Sequence, residues 1–258
     1  MTKRFLAMPS TSIATPSAQR PRHCLPSGVA ATPCPYCRAR QCCLPAGATM
    51  CDGHELVPRR VAVARHMALY SAGQVVQRAV FIVRFGSFKH TRADQCSRQR
   101  ITGFHMSGDV LALDSIGLQW YQSAATALED SEVCVISYDL MRTFPAYFNA
   151  LASTAIARAQ HVSLHLRRTS APQKLAAFLL DLAGEFDARG YASRHFRLPM
   201  RHQDIANFLD ITPASMSRLL KQFRLMQLID ASEREIMLRD PRGLSCVMAE
   251  GMPFNYGG

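Results

Sequence analysis

No stretch of this chain approaches the ~18 consecutive apolar residues of a membrane span, which argues against a membrane partner. The N-terminus, MTKRFLAMPSTSIATPSAQRPR, is charged but has no continuous apolar core of the kind a secretion signal uses, so a cytoplasmic protein is expected. There is no glycine-rich phosphate loop. There is also no Ser/His/Asp or paired-carboxylate arrangement at a recognisable spacing, so an enzyme is not expected. The histidines, His105 and His161 among them, are scattered and read as surface or packing residues. Acidic residues are few, 19 against 30 basic, and the net charge of +11 favours a polyanionic partner such as nucleic acid. Residues 1–30 lack hydrophobic periodicity, are rich in Ser, Thr, Pro and Ala, and read as a disordered tail.

Cysteine is abundant instead. Six of the nine lie between Cys24 and Cys51, and an odd, clustered count argues for metal or redox chemistry over a disulfide framework. The densest stretch is CPYCRARQCCLP, Cys34 to Pro45. Cys34, Cys37 and Cys43 form C-x2-C-x5-C, and Cys42 offers C-x2-C-x4-C. Thiolates at i and i+3 converge when the chain turns between them, and Pro35 encourages the turn. A third thiolate six residues on can close a loop around an iron–sulfur cluster or a zinc ion. A four-ligand site is then one short, with Cys51, Cys96 and Cys134 as candidates.

From Val61 to Ser137 short apolar runs (Val61–Val63, Val75–Val76, Val80–Val83, Val110–Leu113, Val133–Ile136) alternate with glycines, the pattern of an antiparallel barrel or roll. Trp120 and Tyr121 read as packing residues there. Phe144 to Leu166 contains no glycine. Its Phe148, Leu151, Ala155, Ala159, Val162 and Leu166 recur at spacings of three and four, a coiled-coil-like seam expected to join two copies. Ser170 to Arg189 reads as a further amphipathic helix. The stretch IANFLDITPASMSRLLKQF, Ile205 to Phe223, reads as a helix-turn-helix. Asp210 supplies a left-handed turn, Thr212 an N-cap and Pro213 a first helical residue. Met216, Leu219 and Leu220 form its buried face. Thr212, Ala214, Ser215, Ser217, Arg218 and Lys221 then lie on or near the exposed side, suited to a major groove. Leu228–Asp230 and Glu235–Leu238 flank an expected wing hairpin, and the chain after Gly243 is expected to be loose.

Four stretches, taken together, resemble the CRP/FNR superfamily of bacterial transcription regulators, in its oxygen-responsive FNR branch. They are CPYCRARQCCLP, ITGFHMSGD from Ile101, ALEDSEVC ending at Cys134, and LAAF with the later FRLPMRHQDIANFLDITPASMSRLL. The resemblance implies an α+β architecture. Residues 31–143 would hold the cysteine segment and a β-roll sensor, 144–168 a dimerisation helix, 169–243 a winged helix-turn-helix, and 244–258 a loose tail. It implies one 4Fe-4S cluster per chain on Cys34, Cys37, Cys43 and Cys134. In the family the intact cluster favours a DNA-binding dimer, and oxygen converts it to 2Fe-2S and weakens the dimer. The implied partners are a two-fold promoter site on double-stranded DNA, a second copy of the chain, and RNA polymerase. A cyclic nucleotide is not expected, because Tyr121-Gln122-Ser123-Ala124 lacks the arginine that would hold its phosphate.

Two residues depart from the family pattern. Ala214 stands where a glutamate usually reads a base, and Ala159 where branch members carry an acidic residue in the seam. Readings that remain beside the main one are the same regulator with a zinc or thiol switch, and an iron–sulfur electron carrier.

Overall fold

The structure is a computed structural model that describes residues 59–166, 170–232 and 234–251. Cys34, Cys37 and Cys43 therefore lie outside the described residues. Two four-stranded sheets make the roll. One contains β1 (Arg59–Val63), β3 (Ala79–Phe85), β6 (Val110–Leu111) and β8 (Ser131–Ser137), in the order β1-β8-β3-β6. The other contains β2 (Ala68–Tyr70), β4 (Ser87–Ala93), β5 (Gln99–Met106) and β7 (Ala124–Ala127), in the order β2-β7-β4-β5. All pairings are antiparallel.

Side chains alternate across a strand, so each strand divides its residues between two environments. Val133 of β8 joins the roll interior with Tyr70, Phe81, Phe88 and Tyr121. Its neighbours Cys134 and Ile136 belong instead to a second cluster on the other face. The apolar runs read from the sequence became β1, β3, β6 and β8. Strands β2, β4, β5 and β7 had no such signal. Strands β4 and β5, SFKHTRA and QRITGFHM, carry polar residues on one or both faces. Val75–Val76 contributes only an isolated bridge, Val75 opposite Trp120. Trp120 is not a packing residue: it is 51% exposed, whereas Tyr121 is buried and stacked on Tyr70 at 4.3 Å.

Helix α1 (Tyr138–Thr143) starts at Ser137, whose hydroxyl accepts from the Leu140 N–H. Helix α2 (Pro145–Leu166) opens on a proline, which has no N–H to satisfy in the first turn. Helix α3 (Ala171–Ala188) has a reciprocal capping box between Ser170 and Gln173. Gly190 follows it at φ 73, a conformation that suits glycine. Next come β9 (His195–Arg197), α4 (His202–Leu209), α5 (Pro213–Leu225), β10 (Ile229–Ala231) and β11 (Glu235–Leu238). The three strands form the wing sheet, in the order β10-β11-β9.

The chain beyond Gly243 is not loose as expected. It forms α6 (Pro241–Glu250), N-capped by Asp240, which accepts from the Gly243 N–H at 2.9 Å. Leu244 and Val247 are buried in the helical core. Two such side chains contribute about 1.5–3 kcal/mol each, which outweighs the helix's polar composition.

That core gathers Leu175, Leu179, Ile205, Leu209, Met216 and Phe223 around α3, α4 and α5. Strand β5 lends it Ile101, Phe104 and Met106, so the roll and the helical part share one apolar cluster. No helix among the described residues is long and apolar enough to cross a membrane.

Candidate functional site

The helix-turn-helix is built by local chemistry. Helix α4 ends at Asp210, which adopts φ 53, ψ 51, the left-handed conformation that Asp tolerates. The Ile211 N–H returns to the Ala206 carbonyl at 3.0 Å and fixes the turn. Thr212 then caps α5, its hydroxyl accepting from the Ser215 N–H at 3.1 Å, and Pro213 takes the first helical position. Met216, Leu219, Leu220 and Phe223 are buried. That rotation leaves Thr212, Ala214, Ser217, Arg218 and Lys221 exposed and Ser215 half-buried. The Ser215 hydroxyl accepts from the Thr212 hydroxyl at 2.9 Å and from the Arg218 guanidinium at 3.3 Å. Arg224, absent from the sequence-based set, adds a third cation further along the same helix. Its spacing of three from Lys221 was the signal available for it.

The long helix divides differently from the expected seam. Phe148 is buried against the chain's own sheet in the cluster that contains Cys134, and Leu151 packs on that cluster. Val162 packs on the helical core. Ala155 is half-buried, Ala159 is exposed, and Leu166 is the last helical residue. Among the described side chains of α2, the large apolar ones presented to solvent are Ile156 and Leu164, 58% and 62% exposed. They lie eight residues apart, close to two helical turns, and so on one face.

Cys134 is buried on β8 between Arg60 of β1 and Ile82 of β3. Its face of the sheet is covered by Phe148 and Leu151 of α2 and by α1. Among the described residues no group of three His, Cys, Asp or Glu side chains could hold a metal ion. Cys96 and Cys246 are exposed.

Inside the roll, polar groups collect around Asp114. The buried Ser123 hydroxyl donates to the Asp114 carboxylate at 2.7 Å. His90 Nε2 lies 3.7 Å from the same carboxylate, and its Nδ1 is 2.9 Å from the Thr102 hydroxyl. The His90 and His105 rings meet edge to face at 5.7 Å. Burial, with Arg158 and His90 nearby, holds His105 down to about 4 against the pull of Asp109 and Asp114. His105 is therefore neutral at pH 7. His90 is likewise lowered, by burial first, with Asp114 opposing it.

Comparison with known proteins agrees with this geometry. The model of the Crp-like helix-turn-helix domain matches residues 173–247, and that of the cyclic nucleotide-binding domain matches residues 60–146. The chain is 36% identical over 227 residues to the transcriptional regulatory protein btr of Bordetella pertussis, covering 84% of this chain and 93% of that protein. It is 30% identical over 233 residues to the fumarate and nitrate reduction regulatory protein of Vibrio cholerae, covering 86% and 91%. It is also 30% identical over 228 residues to the anaerobic regulatory protein of Haemophilus influenzae, covering 84% and 88%. FixK2 from Bradyrhizobium japonicum shares the fold, with a TM-score of 0.64 at 24% identity over 74% of this chain and 96% of that one.

Proposed function

The chain belongs to the CRP/FNR family of transcription regulators and is a DNA-binding protein, not an enzyme; from that premise we propose that a 4Fe-4S cluster on Cys34, Cys37, Cys43 and Cys134 controls its binding to promoter DNA as a homodimer. The observation that carries this reading is the position of Cys134. It is the described member of the ligand set, and it shares one apolar cluster with Phe148 of the long helix. Whatever pulls on the Cys134 thiol acts on the sheet face where α2 begins.

The donor set fits the group. Thiolates ligate iron–sulfur clusters, and an apolar, water-poor surrounding suits a cluster whose charge is spread over many atoms. Strand β1 enters beside Cys134, with Arg60 directly opposite it. Cys43 precedes Arg60 by 17 residues, a length that spans up to about 55 Å when extended, so the other thiolates can return to this site. When bound, the cluster supplies an oxygen-sensitive tie between the N-terminal segment and the roll.

The chain's own residues do the rest. Phe148 and Leu151 transmit a shift of β8 to α2. Ile156 and Leu164 offer the face on which a second copy packs, as expected of a protein that reads a two-fold site. Arg218 and Lys221 meet phosphates and base edges, and Arg218 is steadied by Ser215. Ala214 has no carboxylate to accept from a cytosine amino group, so one base pair of the half-site differs from that read by a glutamate-bearing relative. In the roll, a carboxylate is the partner of the buried Ser123 hydroxyl, a poor setting for a cyclic phosphate.

The test is the iron and sulfide content and visible spectrum of protein purified without oxygen, repeated after brief exposure to air. About four irons and four sulfides per chain, with an absorption band that changes in air, is the expected result. Zinc, or protein with no metal, would turn the cysteines into a structural site or thiol switch and leave the DNA binding intact.

A further inference from the structure

Four charged side chains from three parts of the chain close into a ring of alternating sign. Asp109 sits in the turn between β5 and β6, Arg158 in the middle of α2, Glu185 in the last turn of α3, and Arg189 at its C-cap. Arg158 meets Asp109 through Nη1 at 2.6 Å and Glu185 through Nη2. Arg189 meets Asp109 through Nη2 at 2.8 Å and Glu185 at 3.6 Å. The ring is largely shielded from water: the four side chains keep between 13% and 29% of their exposure.

Backbone groups hold the ring to each element. Asp109 accepts from the Met106 N–H at 2.8 Å. Arg158 donates to the Phe104 carbonyl at 3.2 Å, and Arg189 donates to the Ser107 carbonyl at 2.9 Å. Both arginines thus fork between a carboxylate and a carbonyl of β5 or its following turn. Burial by itself would raise the Asp109 carboxyl, but Arg158, His105 and Arg189 bring it below the usual range, so the carboxylate stays ionised.

A second fastening joins the helix-turn-helix to the same strand. The Asn207 side chain accepts from the Ile101 N–H at 2.7 Å and donates to the Gln99 carbonyl at 3.2 Å. Arg100 meets Asp210 at 2.9 Å, and Lys89 of the neighbouring β4 meets Asp204 at 2.8 Å. Phe104 packs between Phe178 of α3 and Phe208 of α4. Strand β5 is therefore held near its start by the DNA-reading helices and, through the Asp109 ring, near its end by the long helix.

We propose that Asp109 and Arg158 are positioning residues that fix the angle between the long helix and the helix-turn-helix, and so set the spacing between the two half-sites that a dimer can read. The inference rests on the two-fold reading given above. A dimer places its two recognition helices about 34 Å apart, one turn of DNA, and a small rotation of each reader about the long helix changes that distance. The fastening on β5 alone orients the reader relative to the roll. The ring, together with Val162 packed on the helical core, ties it to the helix that carries the Ile156 and Leu164 face. An arginine suits the task because its planar fork engages two acids at once, which a lysine cannot do.

The test uses the full chain, purified without oxygen, with Asp109→Asn and Arg158→Lys as variants. The probe is a duplex that the wild-type protein selects from a random pool, rebuilt with its halves moved apart or together by one to five base pairs. Wild-type affinity should peak sharply at one spacing. Asp109→Asn should flatten that profile by about tenfold, and Arg158→Lys, which keeps the charge and the fold, by about threefold, with affinity for a single half-site unchanged in both. Wild-type profiles in the variants would overturn the proposal, and if Asp109→Asn fails to fold, Arg158→Lys decides alone. A wild-type protein indifferent to spacing, or bound to one half-site as a monomer, would overturn the two-fold reading first and this inference with it.

Discussion

His105 should make this protein lose stability in mild acid, and the size of the loss follows from its surroundings. The ring lies on β5 near His90, Arg158, Asp109 and Asp114, and burial holds it at about 4 against an ordinary 6.5. In the unfolded chain the ring takes up a proton near pH 6.5; in the folded chain it waits until about pH 4. The unfolded state therefore binds more protons in this window. The contribution of His105 is fully present above pH 6.5 and is lost as the pH falls toward 4. At about 1.36 kcal/mol per unit, the full difference is roughly 3 kcal/mol, and about 2 kcal/mol of it is gone by pH 5. Urea unfolding at pH 7 and pH 5, for wild type and His105→Gln, isolates this term, because the remaining histidines are common to both. Wild type should lose about 2 kcal/mol more than the variant on acidification. Equal losses, within about 0.5 kcal/mol, would show that the ring is solvated and that the roll interior is more open than its geometry indicates.

Cys134→Ala should lose the iron while keeping the fold, since a small apolar residue suits the cluster of Val80, Ile82, Ile136 and Phe148; iron analysis and circular dichroism check both halves, and normal iron would move the ligand to Cys51 or Cys96. Arg218→Ala should reduce discrimination between a selected site and random duplex by about 1–3 kcal/mol, read by competition binding; unchanged discrimination would remove Arg218 from the reading surface. Ile156→Glu should shift sedimentation toward the monomer, because it puts a charge on the exposed apolar face of α2; an unaltered dimer constant would place the interface elsewhere. Leu244→Ala should cost about 2–4 kcal/mol in denaturant unfolding, as a fully buried leucine in α6; a cost below about 0.5 kcal/mol would mean that α6 does not belong to the core.

What the sequence determines unaided is local or periodic. The helix-turn-helix was legible because its signals lie within a few residues of one another. Asp210 takes the turn, Thr212 caps, Pro213 begins, and the apolar positions repeat at the helical period. The strands with apolar runs were legible for the same reason. The polar strands β4 and β5 were not, because their burial comes from what packs on them. Phe104 turns to the helical core while His105 turns into the roll, and neither destination is written in the neighbouring residues. The tail after Gly243 became a helix because α3 offers it an apolar face, which a reading of the tail alone does not show.

The long helix shows the division most sharply. Its apolar residues lie all round it, so spacing alone admits more than one seam. Only contact with the roll and the helical core decided that Phe148, Leu151 and Val162 turn inward and that Ile156 and Leu164 remain outside. The ring of Asp109, Arg158, Glu185 and Arg189 is further still from the sequence, spanning 80 residues from Asp109 to Arg189. Charges so far apart carry no periodic signature. They become partners only when the β5–β6 turn, the long helix and the end of α3 meet, since a partly buried charge is tolerated only where an opposite charge is brought to it.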